Sequence, residues 1–293
     1  MVYSPTYRGI ADNQMKRNTL IIFLFIACIM VTIPCFGTQL NIQLSPEENA
    51  WLKNHSSINI GGPKSFPPFH FFDDKNDLKG ISADYITMIM NSLGVKVNVL
   101  NNLPWPEVLK KAASGEIDLI PCIAKTEEQE AFLDFSHPYL SFPLVIITRK
   151  DTQFIRGIED LTGRKLAIIQ KISTGEWLKR DGIDFIPYYI ESPLKGLEAV
   201  SFGRADALIE NLASATYLIQ EYGLTNLKIA APTRYEYYNL YMAVSKDLPE
   251  LLGIIDKSLD VISPEQHSRI QNKWLSVRYE YGIKKNDVFL WGI

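Results

Sequence analysis

The chain has 293 residues, 46% hydrophobic and 22% charged, with a formal net charge of −3. This is the composition of a globular protein with room for one large or two modest α/β domains, and it excludes a disordered chain. A mildly acidic balance without a long basic run also argues against nucleic-acid binding.

The first element is a leader. Lys16 and Arg17 precede the apolar run Leu20–Ile33, and small residues follow at Cys35 and Gly37. A basic start, a short apolar core and a small-residue end define a secretory signal, and the run is too short to span a bilayer comfortably. The expectation is a signal peptide over residues 1–37, initiated at Met15, cut after Gly37, with the mature chain in the periplasm. An uncleaved anchor is the alternative. A lipoprotein is disfavoured because Pro34 stands where a small residue belongs before Cys35. Removal of the leader leaves Cys122 as the one cysteine, so stability depends on the core rather than on a disulfide.

Strands then alternate with helices. Pro46–Lys53 is amphipathic, Ile58–Ile60 is a short strand running into Gly61 and Gly62, and Phe66–Phe72 is a stiff aromatic loop. Ser82 is expected to cap a helix that carries Tyr85, Ile86, Ile89, Met90 and Leu93 on one face and stops at Gly94. Val95–Leu100 is strand-like, Pro106 marks the first turn of a helix, and Ile117–Ile123 is a strand. Further strands are predicted at Leu144–Thr148, Lys165–Ile169, Phe185–Ile190, Ala205–Ile209, Leu227–Ala231 and Tyr238–Val244. Ser173–Glu176 reads as a capping box, Ser192-Pro193 as a helix start, and Pro249–Ile262 and a Ser263-capped segment ending near Trp274 as the last helices.

Two of these units are near-repeats about 90 residues apart, Val108–Ile120 and Gly196–Ile209. Each is a helix stopped by glycine (Gly115, Gly203), a short loop, and an apolar strand with Asp118 or Asp206 near its start. Such a strand, buried on both faces of a parallel sheet, opens at its C-terminal end onto a ligand crevice. Two units therefore predict two lobes, presenting Cys122–Ala124 and Glu210–Asn211 to a shared cleft. Tyr139–Pro143 and Arg234–Asn239 are the expected crossings. They divide the chain into lobe 1 (38–138 and 240–280), a hinge (139–143 and 234–239), an inserted lobe 2 (144–233) and a tail (281–293), an arrangement that allows hinge closure.

Seven segments lie in order over residues 45–277: Phe66–Phe71, Gly80–Tyr85, Gly115–Leu119, Asp134–Tyr139, Asp160–Ala167, Gly203–Ala207 and Asn272–Trp274. Together they resemble the extracytoplasmic solute-binding proteins of family 3, the periplasmic amino-acid-binding type with the type II binding-protein fold. Leu44–His55 and Asn211–Ile219 are most similar to the subset that serves as sensory input of membrane-bound kinases and cyclases. The resemblance implies a two-lobed α/β Venus flytrap, monomeric and without cofactor or metal, that captures a small polar metabolite and turns nothing over. It places Phe66 and Trp105 against the ligand, with Ala124 at the strand end, and Ser173, Thr174 and the adjacent amides around an anionic or carbonyl oxygen. Gln129 falls where the family keeps an Arg that clamps an α-carboxylate. Asn211 falls where it keeps an Asp that holds the α-ammonium, with Glu210 beside it. Amides offset less of the desolvation of a zwitterion than charges do, so weak binding of ordinary α-amino acids is expected. Lys125, Lys171 and Arg234 are candidate replacements for the missing cation, and a one-residue shift of register would make Glu210 the ammonium partner.

Two readers of lobe closure are open. An ABC permease that receives the ligand is the expected partner, and a membrane-bound signalling module is the alternative, for which Val288–Ile293 resembles the opening of a membrane helix. Periplasmic cyclohexadienyl dehydratases resemble the same family and use a cleft carboxylate as general acid, a role open to Glu210, although the lost cation at Gln129 weighs against it. A protein-contact module with decayed ligand binding is the other alternative. The four histidines have no metal-ligand spacing.

Overall fold

The computed structural model describes residues 39–235 and 238–275; the expected leader and cleavage point, residues 236–237 of the second crossing, and the 281–293 tail lie outside them. Two sheets form the frame. In the first, β1 (Ser57–Gly61) lies between β5 (Lys96–Leu100) and β6 (Leu119–Ile123), all parallel. β6 pairs antiparallel with β14 (Tyr238–Ser245), which also carries β7 (Leu133–Phe135) and β8 (Leu140–Phe142). The second sheet repeats this plan. β10 (Lys165–Ile169) lies between β11 (Ile186–Ile190) and β12 (Ala207–Asn211), all parallel, and β12 pairs antiparallel with β9 (Leu144–Arg149), itself paired with β13 (Leu227–Pro232). The architecture is therefore two-lobed α/β.

The near-repeat has a physical basis in these sheets. Before β6, the backbone of Asp118 donates to Asn59 O at 2.9 Å while its carboxylate accepts from Asn59 N at 2.7 Å. Before β12, Asp206 does the same to Lys165, at 2.7 and 2.8 Å. Each Asp thus locks the entry of its strand to the neighbouring parallel strand, at the end away from the cleft. Gly115 and Gly203 hold the preceding turn in the left-handed region, with φ of 75° and 73°, where a side chain would be strained.

Helices cover the sheets: α1 (Pro46–Asn54), α2 (Ile81–Leu93), α3 (Trp105–Ala113), α4 (Glu127–Glu130), α5 (Ser173–Arg180), α6 (Pro193–Ser201), α7 (Leu212–Glu221), α8 (Pro249–Asp260) and α9 (Pro264–Trp274). Ser192 and Ser263 cap α6 and α9 as the sequence predicts. Two other caps differ. Gly80, not Ser82, stands at the N-cap of α2, because the carbonyls of Pro68 and Phe69 take the first N–H groups and Ser82 Oγ donates to Phe69 O at 2.8 Å. The aromatic loop that supplies those carbonyls is itself folded, as a small sheet of β2 (Ser65–Phe66), β3 (His70–Phe72) and β4 (Leu78–Lys79). Ser173 is the first residue of α5 rather than its cap; Ile172 holds that position, with no side-chain cap bond.

Hydrogen bonds to a charged acceptor contribute about 1.5–3 kcal/mol when protected from solvent. Asp118→Ala, whose bond is partly buried, is expected to cost about 1–2 kcal/mol, and Asp206→Ala less because its bond is exposed. Because the two residues serve different sheets, urea unfolding of the double variant should be additive to within about 0.5 kcal/mol. A larger coupling would show that the two units do not act independently.

Candidate functional site

The site lies where one sheet passes into the other. β8 pairs with the start of β14 (Phe142 opposite Tyr238), and after Pro143 the chain continues directly into β9. On the return side, Thr233 N and Oγ1 both donate to Leu144 O, at 3.0 and 3.2 Å; the start of α7 is tied to the outgoing segment by Leu212 N, which donates to Pro143 O at 2.9 Å. The two connecting segments therefore run side by side, and the C-terminal ends of β6, β10 and β12 face a common cleft. It encloses about 940 Å³ of space not filled by atoms, the open mouth included.

Seven of the eight sequence-predicted site residues line this cavity. Phe66, Trp105, Ala124 and Gln129 come from the first sheet and the helices and loops around it; Ser173, Thr174 and Glu210 come from the second sheet and α5. Trp105 starts α3, packs with only 8% exposure, and donates its Nε1–H across the cleft to Lys171 O at 3.2 Å. Lys171 Nζ returns the contact, meeting Glu128 Oε1 of α4 at 3.0 Å. The Thr126 hydroxyl, at the N-cap of α4, accepts from Gln129 N at 3.4 Å. The protein's own side chains thus join the two walls.

Asn211 has a different post. Its Oδ1 accepts from Ala213 N at 2.9 Å and Ser214 N at 3.4 Å, so it caps α7, is fully buried, and is not part of the cavity lining. Side chains alternate along a strand, so committing Asn211 to the interior leaves its neighbour Glu210 to line the cavity. Glu210 Oε1 accepts from Asn211 N at 2.8 Å. Desolvation nonetheless dominates and pushes its carboxyl up to about 8, against that bond, which favours the ionised form.

The candidate replacement cations are engaged elsewhere. Lys125 pairs with Glu130, Lys171 with Glu128, and Arg234 with Glu159 and Asp181, and none of the three lines the cavity. The lining cation is Lys64, exposed at the rim, as is Glu191. Cys122 and Tyr238 also line the site. Burial raises the Cys122 thiol to about 12 and the Tyr238 phenol above its ordinary value, so neither is an activated nucleophile. Tyr238 was not foreseen as a lining residue; it accepts a long bond from Ser173 Oγ at 3.5 Å, which joins β14 to the start of α5. Leu166 and Leu178 complete an apolar wall that only tertiary packing brings together. Among the described residues, no His, Cys, Asp and Glu group is placed to hold a metal ion, and no helix is long and apolar enough to cross a membrane.

The family model for bacterial extracellular solute-binding proteins, family 3, matches residues 58–277. The virulence sensor protein BvgS of Bordetella pertussis is 26% identical over 230 residues, 78% of this chain, which spans only 19% of that protein's length. The L-cystine-binding protein TcyA of Bacillus subtilis is 23% identical over 271 residues, 89% of this chain and 97% of its own length. Among solved structures, the periplasmic VFT2 domain of B. pertussis BvgS has a TM-score of 0.71 at 25% identity, covering 80% of this chain and 100% of that domain.

The raised carboxyl of Glu210 has a pH signature. A folded-state value near 8 against an ordinary 4.5 means that folding favours the proton. Its contribution to stability is fully present below about pH 4.5 and is lost as pH rises through about 8. Relative to Glu210→Gln, which stays neutral, the wild type should therefore lose stability steadily between those limits when unfolded in urea. Parallel pH profiles would place the carboxyl in the ordinary range.

Proposed function

Because the chain belongs to the bacterial extracellular solute-binding proteins of family 3, we propose that it captures a small metabolite between its lobes outside the cytoplasm and passes lobe closure to a membrane-bound signalling partner. One observation carries this reading: a largely apolar cavity whose opposite walls are joined by Trp105–Lys171 and Lys171–Glu128. A ligand that fits the closed form adds its own contacts to those and shifts the population toward closure. Phe66 and Trp105 pack on it, and Ser173 and Thr174 at the start of α5 offer hydroxyls to any oxygen it carries. The segments Tyr139–Pro143 and Arg234–Asn239 act as the hinge. No turnover is assigned to the site.

Sensing is favoured over delivery because cross-cleft contacts made by the protein itself oppose the reopening that each transport cycle needs. The likeness to BvgS, named as a sensor, supports the same choice. Delivery to an ABC permease is the second reading, favoured by the match to TcyA over nearly its whole length.

A thermal-shift screen of metabolites on the wild type and Trp105→Ala tests capture. A ligand at a hundredfold its dissociation constant stabilises the folded state by about 2.7 kcal/mol, and Trp105→Ala should reduce that shift. An unchanged shift in the variant would remove Trp105 from the site. Small-angle scattering tests closure itself: a ligand confirmed by that screen should contract the radius of gyration of the wild type, and an unchanged radius would contradict ligand-driven closure.

A further inference from the structure

Charge and hydrogen-bonding capacity are distributed unevenly around the cavity. Of its charge-bearing lining residues, Lys64 and Glu191 are exposed at the rim, and Glu210 is half-buried between the walls. No arginine lines it, and the nearby Lys125 and Lys171 are paired with Glu130 and Glu128. Gln129, 2% exposed, presents an Oε1 that has no hydrogen-bond partner. A buried acceptor left unpaired is costly, and a ligand N–H is what would satisfy it. The remaining surface is apolar or aromatic, with Phe66, Trp105, Ile168, Ile169, Leu178 and Leu208 among its contributors.

We propose that the cleft selects a small amine with an apolar body and no carboxylate, its ammonium met by Glu210 and Gln129 and its body by Trp105 and the aliphatic wall. The assignment rests on the reading of the cleft as a small-molecule trap. An ammonium finds there an acceptor and a carboxyl able to ionise beside it; a buried carboxylate would have the Ser173 and Thr174 hydroxyls and the start of α5 but no cation. The ligand arrives as R–NH3+, Glu210 gives its proton to solvent, and the bound pair is ammonium and carboxylate. The other titratable groups facing Glu210 across the cavity are Tyr238 and Cys122, both held neutral by burial, with Glu191 and Lys64 at the rim.

The test is calorimetry at pH 7 with 2-phenylethylamine, 3-phenylpropionate and phenylalanine as probes, in two buffers of different ionisation enthalpy. The amine is expected to bind more tightly than the other two, with release of close to one proton per site. Glu210→Gln should weaken amine binding tenfold or more and abolish the proton release. Tighter binding of the carboxylate or the amino acid, amine binding without proton release, or no amine binding at millimolar concentration would each overturn the assignment. The trap reading is judged separately: a metabolite of any charge that stabilises the wild type but not Trp105→Ala sustains it even if the amine fails.

Discussion

The hydrogen bonds at the end of β12 determine the chemistry of the cleft. Asn211 spends its side-chain oxygen on the first N–H groups of α7, and its own N–H is held by Glu210 Oε1. The alternation of the strand then leaves a carboxyl facing an apolar cavity with no interior cation beside it. The raised proton affinity of Glu210 follows from that placement, whereas the neighbouring thiol and phenol are held protonated by their own burial.

Closure is balanced more finely than the number of contacts implies. An exposed ion pair such as Lys171–Glu128 contributes about 0–1 kcal/mol, and a neutral hydrogen bond such as Trp105–Lys171 about 0.5–1.5 kcal/mol. The lobes are therefore held together by a few kcal/mol at most, set against the freedom gained on opening. A ligand of modest affinity is enough to change the populations substantially, since about 1.4 kcal/mol shifts an equilibrium tenfold. The two connecting segments are tied together where they enter the second sheet, because Thr233 is bonded to the backbone of Leu144.

Much of this architecture was legible in the sequence. The helix–Gly–Asp–strand units announced two equivalent sheets because the requirement is local and repeated: a left-handed turn residue, then a carboxylate to seal the entry of a buried parallel strand. The lining residues Phe66, Trp105, Gln129, Ser173 and Thr174 were reached through family resemblance, whereas Ala124 and Glu210 followed from where buried strands must end. What could not be read was whatever a distant backbone supplies. Ser82 lost its capping role to the carbonyls of Pro68 and Phe69, and Asn211 gained one, because a helix begins immediately after it. Lys171 had no local signal for a cross-cleft pair, since its partner Glu128 belongs to the other wall. Tyr238 entered the lining through the register of β14 against β8, which no spacing reveals.

13C NMR of the Glu210 carboxyl carbon, titrated in the ligand-free protein, tests most directly the raised proton affinity on which the proposed chemistry of the cleft depends. A midpoint near 8, falling toward the ordinary carboxylate range when a bound amine is present, is the predicted result. A ligand-free midpoint close to 4.5 would contradict the account, because the carboxylate would then already be solvated or paired.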